Sequence, residues 1–211
     1  MAGTAGMAGL ADTLRNKGSV GVTDGGARVA APRRAFTIRI GAALTVLVSM
    51  LAVVRDPDVP LAAGVAVASL VPAAIVDLER RRLPNRLVGA AALATGATIA
   101  GALLWPGAVG PPIDVAEVAI GAASMAGPLL ALHLLSPVAM GFGDVKAAVV
   151  LGAGLGTVDP QLAFVALFVG SMLTAVVGLA TRRRSLPFGP GLIVGAATAL
   201  CASGMFPGVQ A

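Results

Sequence analysis

Residues 60–86 read PLAAGVAVASLVPAAIVDLERRRLPNR, an apolar run that ends abruptly in charged residues. The apolar part, 60–77, is close to the ~20 residues that a helix needs to cross the ~30 Å hydrocarbon core of a bilayer. Arg80, Arg81 and Arg82 follow it, and basic residues of this kind collect at the cytoplasmic ends of membrane helices. The stretch therefore predicts a transmembrane helix with a basic anchor and an acidic residue, Asp77, at its charged end.

Similar apolar runs recur along the chain, separated by short polar or Pro/Gly-containing breaks. The predicted membrane spans are 36–54, 60–77, 86–105, 115–138, 142–158, 160–180 and 187–206. The expected fold class is therefore all-α, a polytopic transmembrane bundle of about seven helices. Residues 1–35 are rich in Gly, Ala and small polar residues without apolar periodicity, so we expect a disordered cytoplasmic tail before a transmembrane domain at 36–206.

Composition excludes an ordinary soluble domain. Apolar residues make up 57% of the chain and charged residues 12%, against about 45–50% and about 25% in soluble proteins. A net charge of +5 is compatible with nucleic-acid binding. The basic clusters, however, flank apolar runs and contain no interleaved aromatic residues, so no nucleic-acid partner is expected. The single cysteine, Cys201, excludes an internal disulfide, and the lone His133 is expected to be a packed residue. No metal and no cofactor are predicted.

The charge distribution predicts the orientation of the chain. With a cytoplasmic N-terminus, the clusters Arg33–Arg34, Arg80–Arg82 and Arg182–Arg184 fall inside, and acidic residues such as Asp56 and Asp159 fall outside. The opposite orientation would place nearly every Lys and Arg on the wrong side. We therefore expect a multi-pass protein of the bacterial inner membrane, with anionic lipids as the partners of its basic clusters.

Carboxylates inside or at the edge of membrane helices are costly, so each one indicates a partner or a function. Of the ten acidic residues, two lie in the tail and five in predicted outer loops or helix ends, which leaves Asp77, Glu79 and Asp144. Asp77 closes the second apolar run, and Asp144 opens the fifth within Gly141-Phe142-Gly143-Asp144-Val145-Lys146. By the predicted topology both aspartates lie at the same depth, about a turn inside the cytoplasmic interface.

Two carboxylates brought together at that depth can share a proton, because like charges a few ångströms apart cannot both ionise cheaply. One can then act as general base on a water molecule while the other, protonated, polarises a peptide carbonyl. Gly141 and Gly143 lack a Cβ and so permit close approach of a substrate backbone. Taken separately, Asp144 is equally well explained as a helix N-cap and Asp77 as one half of a local ion pair.

Three separated motifs together resemble the bacterial type IV prepilin peptidases. Asp77-Leu78-Glu79-Arg80-Arg81-Arg82-Leu83-Pro84-Asn85 is similar to their Asp-(x)6-Pro-Asn segment, and Gly141–Lys146 resembles their GxGDxK segment. Leu186-Pro187-Phe188-Gly189-Pro190-Gly191 is similar to their late (I/L)PFGP segment. The order, spacing and membrane position of the motifs match over roughly residues 60–206.

The resemblance implies an integral-membrane aspartyl protease of the GxGD kind that removes the short basic leader of prepilins and pseudopilins at the cytoplasmic face. Carried over by motif, Asp77 and Asp144 are the catalytic pair. The expected supporting residues are Gly141, Gly143, Lys146, Pro84, Asn85, Pro187, Phe188 and Gly189. The residues themselves leave two roles open for Lys146, which can pair with an aspartate or extend to the interface.

The chain departs from the longer members of this family, which carry a cysteine-rich zinc-binding loop and often methylate the new N-terminus. The first loop between predicted spans is only Arg55–Val59, and the chain has one cysteine, so it resembles the compact form associated with tight-adherence or Flp-type pili. The sequence gives no basis for expecting methyltransferase activity.

Two other function classes remain open from the sequence. Gly-rich, Pro-broken helices with intramembrane carboxylates also suit a small proton- or cation-coupled transporter, although both acids lie near one face rather than at the midplane. A non-catalytic pilus-assembly protein that keeps the fold is the third possibility.

Overall fold

The computed structural model describes residues 43, 45–47, 60–80, 83–107, 110–137, 140–182 and 187–203. The predicted tail and most of the predicted span 36–54 lie outside these residues. Within that span, Ala43 and Thr45–Leu47 are helical, and Val46 packs against the hydrophobic core.

Six longer helices follow, and the described residues contain no strand, so the all-α prediction is confirmed. The helices are α1 (Leu61–Arg80), α2 (Asn85–Leu104), α3 (Val115–Leu135), α4 (Phe142–Gly156), α5 (Pro160–Thr181) and α6 (Gly189–Ser203). Each matches a predicted span to within about three residues at either end. The ends of α1, α3 and α6 each differ by three residues from the predicted ends. The α1 helix continues past the predicted end at 77 because charged residues end the membrane span without ending the helix.

Acidic caps begin two of the helices. The Asp114 carboxylate accepts a hydrogen bond of 2.8 Å from the Ala116 N–H at the start of α3, and the Asp159 carboxylate accepts one of 2.7 Å from the Gln161 N–H at the start of α5. Such caps satisfy backbone donors that have no partner inside the helix. These two acids are therefore explained by local structure, in agreement with their predicted place at helix ends.

The helices divide into an inner and an outer set. The inner set is α1, α4 and α6; α4 packs against each of the other five helices, and most of its residues are buried. The outer set is α2, α3 and α5, whose apolar surfaces are largely exposed. The largest fully buried side chains of the core come from the inner helices and from α3.

Four of the described helices, α1, α2, α3 and α5, are long and apolar enough to cross a membrane. The predicted crossing at 142–158 is instead the 15-residue helix α4, which at 1.5 Å per residue spans about 22 Å. This length falls short of the ~30 Å hydrocarbon core. A helix this short is tolerated because it lies inside the bundle, where most of its residues pack against protein rather than lipid.

Close glycine contacts hold α4 against α3. A Cβ added to Gly152 would lie 2.5 Å from the carbonyl oxygen of Gly121, and one added to Gly156 would lie 2.6 Å from the carbonyl oxygen of Glu117. Small residues allow this approach of two backbones in lipid, where dispersion rather than water exclusion stabilises helix pairs. We refer to Gly121, Gly152 and Gly156 as the packing glycines.

Candidate active site

The two predicted catalytic aspartates lie on the two helices that pack most centrally. Asp77 is one turn before the end of α1 and is only 5% exposed. Asp144 lies in the first turn of α4 and is half-buried; its backbone N–H donates to the Gly141 carbonyl at 3.1 Å. One helix thus ends where the other begins, and both carboxylates reach the same end of the bundle.

Gly189, the first residue of α6, shows how close the two carboxylates are. A Cβ placed on Gly189 would lie 3.0 Å from Oδ2 of Asp77 and 3.5 Å from Oδ1 of Asp144. The two oxygens therefore approach one common point, and their separation is no larger than the sum of these two distances.

The same two oxygens are buried and unsatisfied. Oδ2 of Asp77 and Oδ1 of Asp144 have no hydrogen-bond partner among the described residues. A buried polar group without a partner is costly, and most buried polar atoms in proteins are satisfied by protein or water. Two such oxygens facing one point are suited to hold a water molecule or a substrate group between them.

Leu83, which the sequence did not single out, is a third neighbour of that point. Its Cδ1 atom lies 3.4 Å from the position of a Cβ on Gly189, and its Cβ lies 3.0 Å from the position of a Cβ on Gly143. The side chain is half-buried and packs against the core. Its place directly before Pro84 was the only signal in the sequence, and an apolar residue there gives no hint of a contact made across the bundle.

A cleft of about 360 Å³ opens beside these groups. Its lining residues are Asp77, Leu83, Asn85, Gly141, Phe142, Gly143, Asp144 and Lys146. The structure thus brings six of the predicted site residues to one cleft and adds two, Leu83 and Phe142, that were not predicted. A methyl group on Gly141 would lie 3.3 Å from Oδ2 of Asp144, so small residues keep the approach to the carboxylates open.

Lys146 is exposed and makes no ion pair with an aspartate among the described residues, and its extension to the membrane interface stays a prediction. Its Nζ donates to Oδ1 of Asn85 at 3.3 Å and lies 5.0 Å from the centre of the Phe142 ring. The ammonium group is therefore directed to an amide and an aromatic face rather than to a carboxylate. This bond joins the start of α2 to the first turns of α4, two segments that carry separate sequence motifs.

The His133 ring packs against the Phe142 ring. The two rings are 5.4 Å apart between centroids, and the His133 Nδ1–H donates to the Met140 carbonyl at 2.8 Å. The histidine is thus a packed, hydrogen-bonded residue, as predicted. Among the residues that the structure describes, no three His, Cys, Asp or Glu side chains are grouped to hold a metal ion.

The remaining predicted site residues shape the surroundings of the cleft. Pro84 precedes α2, and its carbonyl accepts from Leu87 and Val88. Phe188 packs against the core, and its carbonyl accepts from Leu192 at 3.2 Å. Pro187 lines a separate apolar groove between α1, α5 and α6. Gly189 alone of this last motif reaches the two carboxylates.

A family model for the type IV leader peptidase family matches residues 64–179, which is more than half of the chain. The chain belongs to this family. The match includes Asp77, Asn85 and the whole of Gly141–Lys146, and it ends before Pro187. Comparison with curated proteins and with solved structures gives no significant match.

Membership of the type IV leader peptidase family confirms the resemblance seen in the sequence motifs. Together with the four helices able to cross a membrane, it makes the chain a multi-pass membrane protein of a protease family whose substrates are prepilin-type proteins.

Proposed function

We propose that this type IV leader peptidase is an aspartyl endopeptidase in which Asp77 and Asp144 form the catalytic pair. The observation that carries the proposal is the convergence of two buried, unpartnered carboxylate oxygens within 3.5 Å of one point beside Gly189. Both carboxylates line a cleft large enough for an extended stretch of peptide backbone. The burial keeps bulk water away from the pair, which strengthens the effect of each carboxylate on a reacting group.

The pair acts by general acid–base chemistry, with one proton shared between the two carboxyl groups. The ionised carboxylate takes a proton from a water molecule, whose oxygen attacks the carbonyl carbon of the scissile bond. The protonated carboxyl group donates a hydrogen bond to the carbonyl oxygen as negative charge develops there. The C–N bond then breaks, and the departing nitrogen takes a proton from the pair, which returns to its singly protonated form.

The substrate that fits this arrangement is a prepilin or pseudopilin-like protein with a short basic leader followed by one apolar helix. Four described helices present apolar surfaces able to lie in lipid, so a membrane-inserted substrate can approach the cleft laterally. We place the cleft at the cytoplasmic face of the bacterial inner membrane, because the basic residues Arg80–Arg82 come shortly after Asp77 in the sequence. The short first loop favours a role in a tight-adherence or Flp-type pilus system.

The test co-expresses the protein with a candidate prepilin and follows the leader by gel shift and N-terminal sequencing. We expect cleavage by the wild type and its loss in Asp77→Asn and in Asp144→Asn at matched membrane levels, because Asn keeps the shape of Asp but cannot take part in proton transfer.

Asp159→Asn is the matched control. It also removes a carboxylate, but asparagine caps a helix about as well as aspartate does, so folding and cleavage should be retained. Cleavage that survives in both Asp77→Asn and Asp144→Asn would refute the aspartyl mechanism. A leader that stays intact across a panel of prepilins would instead favour a non-catalytic assembly protein, and proton-coupled flux in liposomes would reveal a transporter.

A second readout is the pH dependence of cleavage. A pair that needs one protonated and one ionised carboxyl group gives a bell-shaped profile of kcat/KM, falling at low pH when both are protonated and at high pH when both are ionised. A single sigmoidal rise would indicate one ionising group and contradict the shared-proton arrangement.

A further inference from the structure

The start of α4, which carries Asp144, has little support from its own residues. Gly141 is the N-cap residue and, lacking a side chain, leaves the free N–H groups of the first turn without a side-chain cap. The Asp144 N–H donates to the Gly141 carbonyl at 3.1 Å, and a methyl group on Gly141 would lie 3.3 Å from Oδ2 of Asp144. The position of Gly141 therefore bears directly on where the Asp144 carboxylate lies.

His133 contacts the residue on either side of Gly141. It lies in the last turn of α3, and its Nδ1 atom is 2.8 Å from the carbonyl oxygen of Met140. A carbonyl oxygen can only accept a hydrogen bond, so Nδ1 carries the proton and donates it. The imidazole centroid also lies 5.4 Å from that of the Phe142 ring, with the two planes at 42°. One side chain of α3 thus holds both ends of the segment 140–142.

The bond to Met140 has a consequence for the backbone of this segment. Met140 is only 6% exposed, and a buried carbonyl that loses its donor is costly. Removal of the imidazole N–H therefore favours a movement of the Met140 carbonyl towards another donor. Because Met140 is bonded directly to Gly141, such a movement shifts the N-cap of α4 and, with it, the first turn that carries Asp144.

The segment 140–142 is also held from α2. The Lys146 Nζ lies 5.0 Å from the centre of the Phe142 ring and donates to Oδ1 of Asn85 at 3.3 Å. These three residues line the cleft, whereas the described lining residues do not include His133. His133 is thus placed to act on the active site through the backbone of the segment 140–142, without a contact to a substrate in the cleft.

We propose that His133 is a positioning residue, whose hydrogen bond to the Met140 carbonyl holds the start of α4 so that the Asp144 carboxylate stays aligned with that of Asp77. The proposal rests on the catalytic role of Asp77 and Asp144 given above. It assigns to His133 no contact with the substrate and no part in proton transfer.

Two substitutions separate the hydrogen bond from the ring. His133→Phe keeps an aromatic ring but removes the donor, whereas His133→Asn removes the ring but keeps an N–H donor near the position of Nδ1. The readouts are kcat and KM for cleavage of a prepilin, per folded enzyme molecule. We expect His133→Phe to lower kcat by about 10-fold or more, because small misplacements of a reacting group are costly. KM should change little, and His133→Asn should recover most of the lost kcat.

Leu129→Ala is the matched control. Leu129 is buried in the core one turn before His133 on α3, and it does not line the cleft. This variant should lower the thermal unfolding temperature but leave kcat per folded molecule near the wild-type value, because the bond to Met140 remains. If His133 served only to pack the helices, His133→Phe would be tolerated better than His133→Asn, which is the opposite of the expected order and would overturn the proposal.

A double variant tests whether His133 acts through Asp144. In an Asp144→Asn background, the addition of His133→Phe should leave the residual cleavage rate unchanged, because the carboxylate that it positions is absent. A further loss there as large as the loss in the wild-type background would show that His133 acts elsewhere.

A wild-type kcat in His133→Phe would also overturn the role of His133, while leaving the peptidase function intact. Failure of the wild type to cleave any prepilin would instead count against the proposed function and remove the basis for this inference. His133→Leu, which also lacks a donor, provides the same test if His133→Phe does not accumulate in the membrane.

Discussion

Glycines at the two ends of α4 differ in what an added methyl group would touch. A Cβ added to the packing glycines Gly121, Gly152 and Gly156 would lie 2.5–3.2 Å from backbone atoms of the neighbouring helix. At the other end, Gly141, Gly143 and, across the cleft, Gly189 face side-chain atoms of Asp144, Leu83 and Asp77. We call the second group the site glycines. Glycine therefore serves two separate purposes in this bundle. In one region it allows close helix packing, and in the other it leaves access to buried carboxylates.

Adding a methyl group should therefore have different effects in the two groups of glycines: a loss of stability in the first and a loss of activity in the second. A methyl on a packing glycine forces two backbones apart and lowers the stability of the bundle. A methyl on a site glycine enters the space between reacting groups, and the helices themselves need not move. Stability and activity measured side by side separate the two cases.

The largest effect is expected from Gly189→Ala. The added methyl group would lie 3.0 Å from Oδ2 of Asp77 and 3.4 Å from Cδ1 of Leu83, in the space where water and the scissile carbonyl must fit. We expect cleavage to fall about 100-fold or more, as for other misplacements of a reacting group, with the thermal unfolding temperature in detergent little changed. Wild-type activity in this variant would show that the space beside Gly189 is not used in catalysis.

A stability effect of intermediate size is expected from Gly152→Ala. The methyl group would meet the Gly121 carbonyl oxygen at 2.5 Å and the Ala122 Cα at 2.9 Å, both of them backbone atoms that cannot rotate away. Overpacking of this kind costs about 1–3 kcal/mol, partly offset by the better helix propensity of alanine. The check is thermal unfolding together with activity per folded molecule, which should stay near the wild-type value. Lost activity in a fully stable variant would contradict the division into two groups.

Much of the fold and part of the candidate site could be predicted from the sequence. Apolar runs separated by Pro, Gly and charge predicted the described helices, because the membrane requires long apolar stretches and interruptions stand out against them. The predicted topology placed Asp77 and Asp144 at the same depth, and the motifs marked them as a pair, but neither gave the distance between the two carboxylates. Leu83 was missed because its role depends on contacts across the bundle: it lies against Gly143 and Gly189, which are 60 or more positions away in the chain. Phe142 was missed because the sequence does not show that its ring lies between His133 and Lys146 beside the cleft.

Residue positions alone could not give the length of α4 or the partner of Lys146. The predicted span continued to 158 because Thr157 and Val158 do not interrupt the apolar pattern, although the helix ends at Gly156. The lysine was expected to meet a carboxylate or the interface, but the start of α2 places Asn85 within reach of it. Both outcomes depend on how the helices pack and on no local property of the sequence.

A smaller effect is expected at the bond between Lys146 and Asn85. Lys146→Met and Asn85→Ala each remove the 3.3 Å hydrogen bond that joins α2 to α4 beside the cleft. A typical intramolecular hydrogen bond contributes a net ~0.5–1.5 kcal/mol to stability. Where the loss of the bond misaligns the cleft by an equal free energy, kcat/KM falls about two- to tenfold. The double variant should lose no more than either single variant, because both changes break the same bond. Fully additive losses would show that the two residues act independently.

The most direct test of the account compares Asp77→Asn, Asp144→Asn and the double variant in one cleavage assay with a sensitive readout of residual rate. Groups that act as a unit are strongly non-additive, so the account predicts that the double variant retains about the same residual rate as either single variant. Losses that multiply in the double variant would contradict it, because they would mean that the two carboxylates, although they face one point beside Gly189, contribute to cleavage separately.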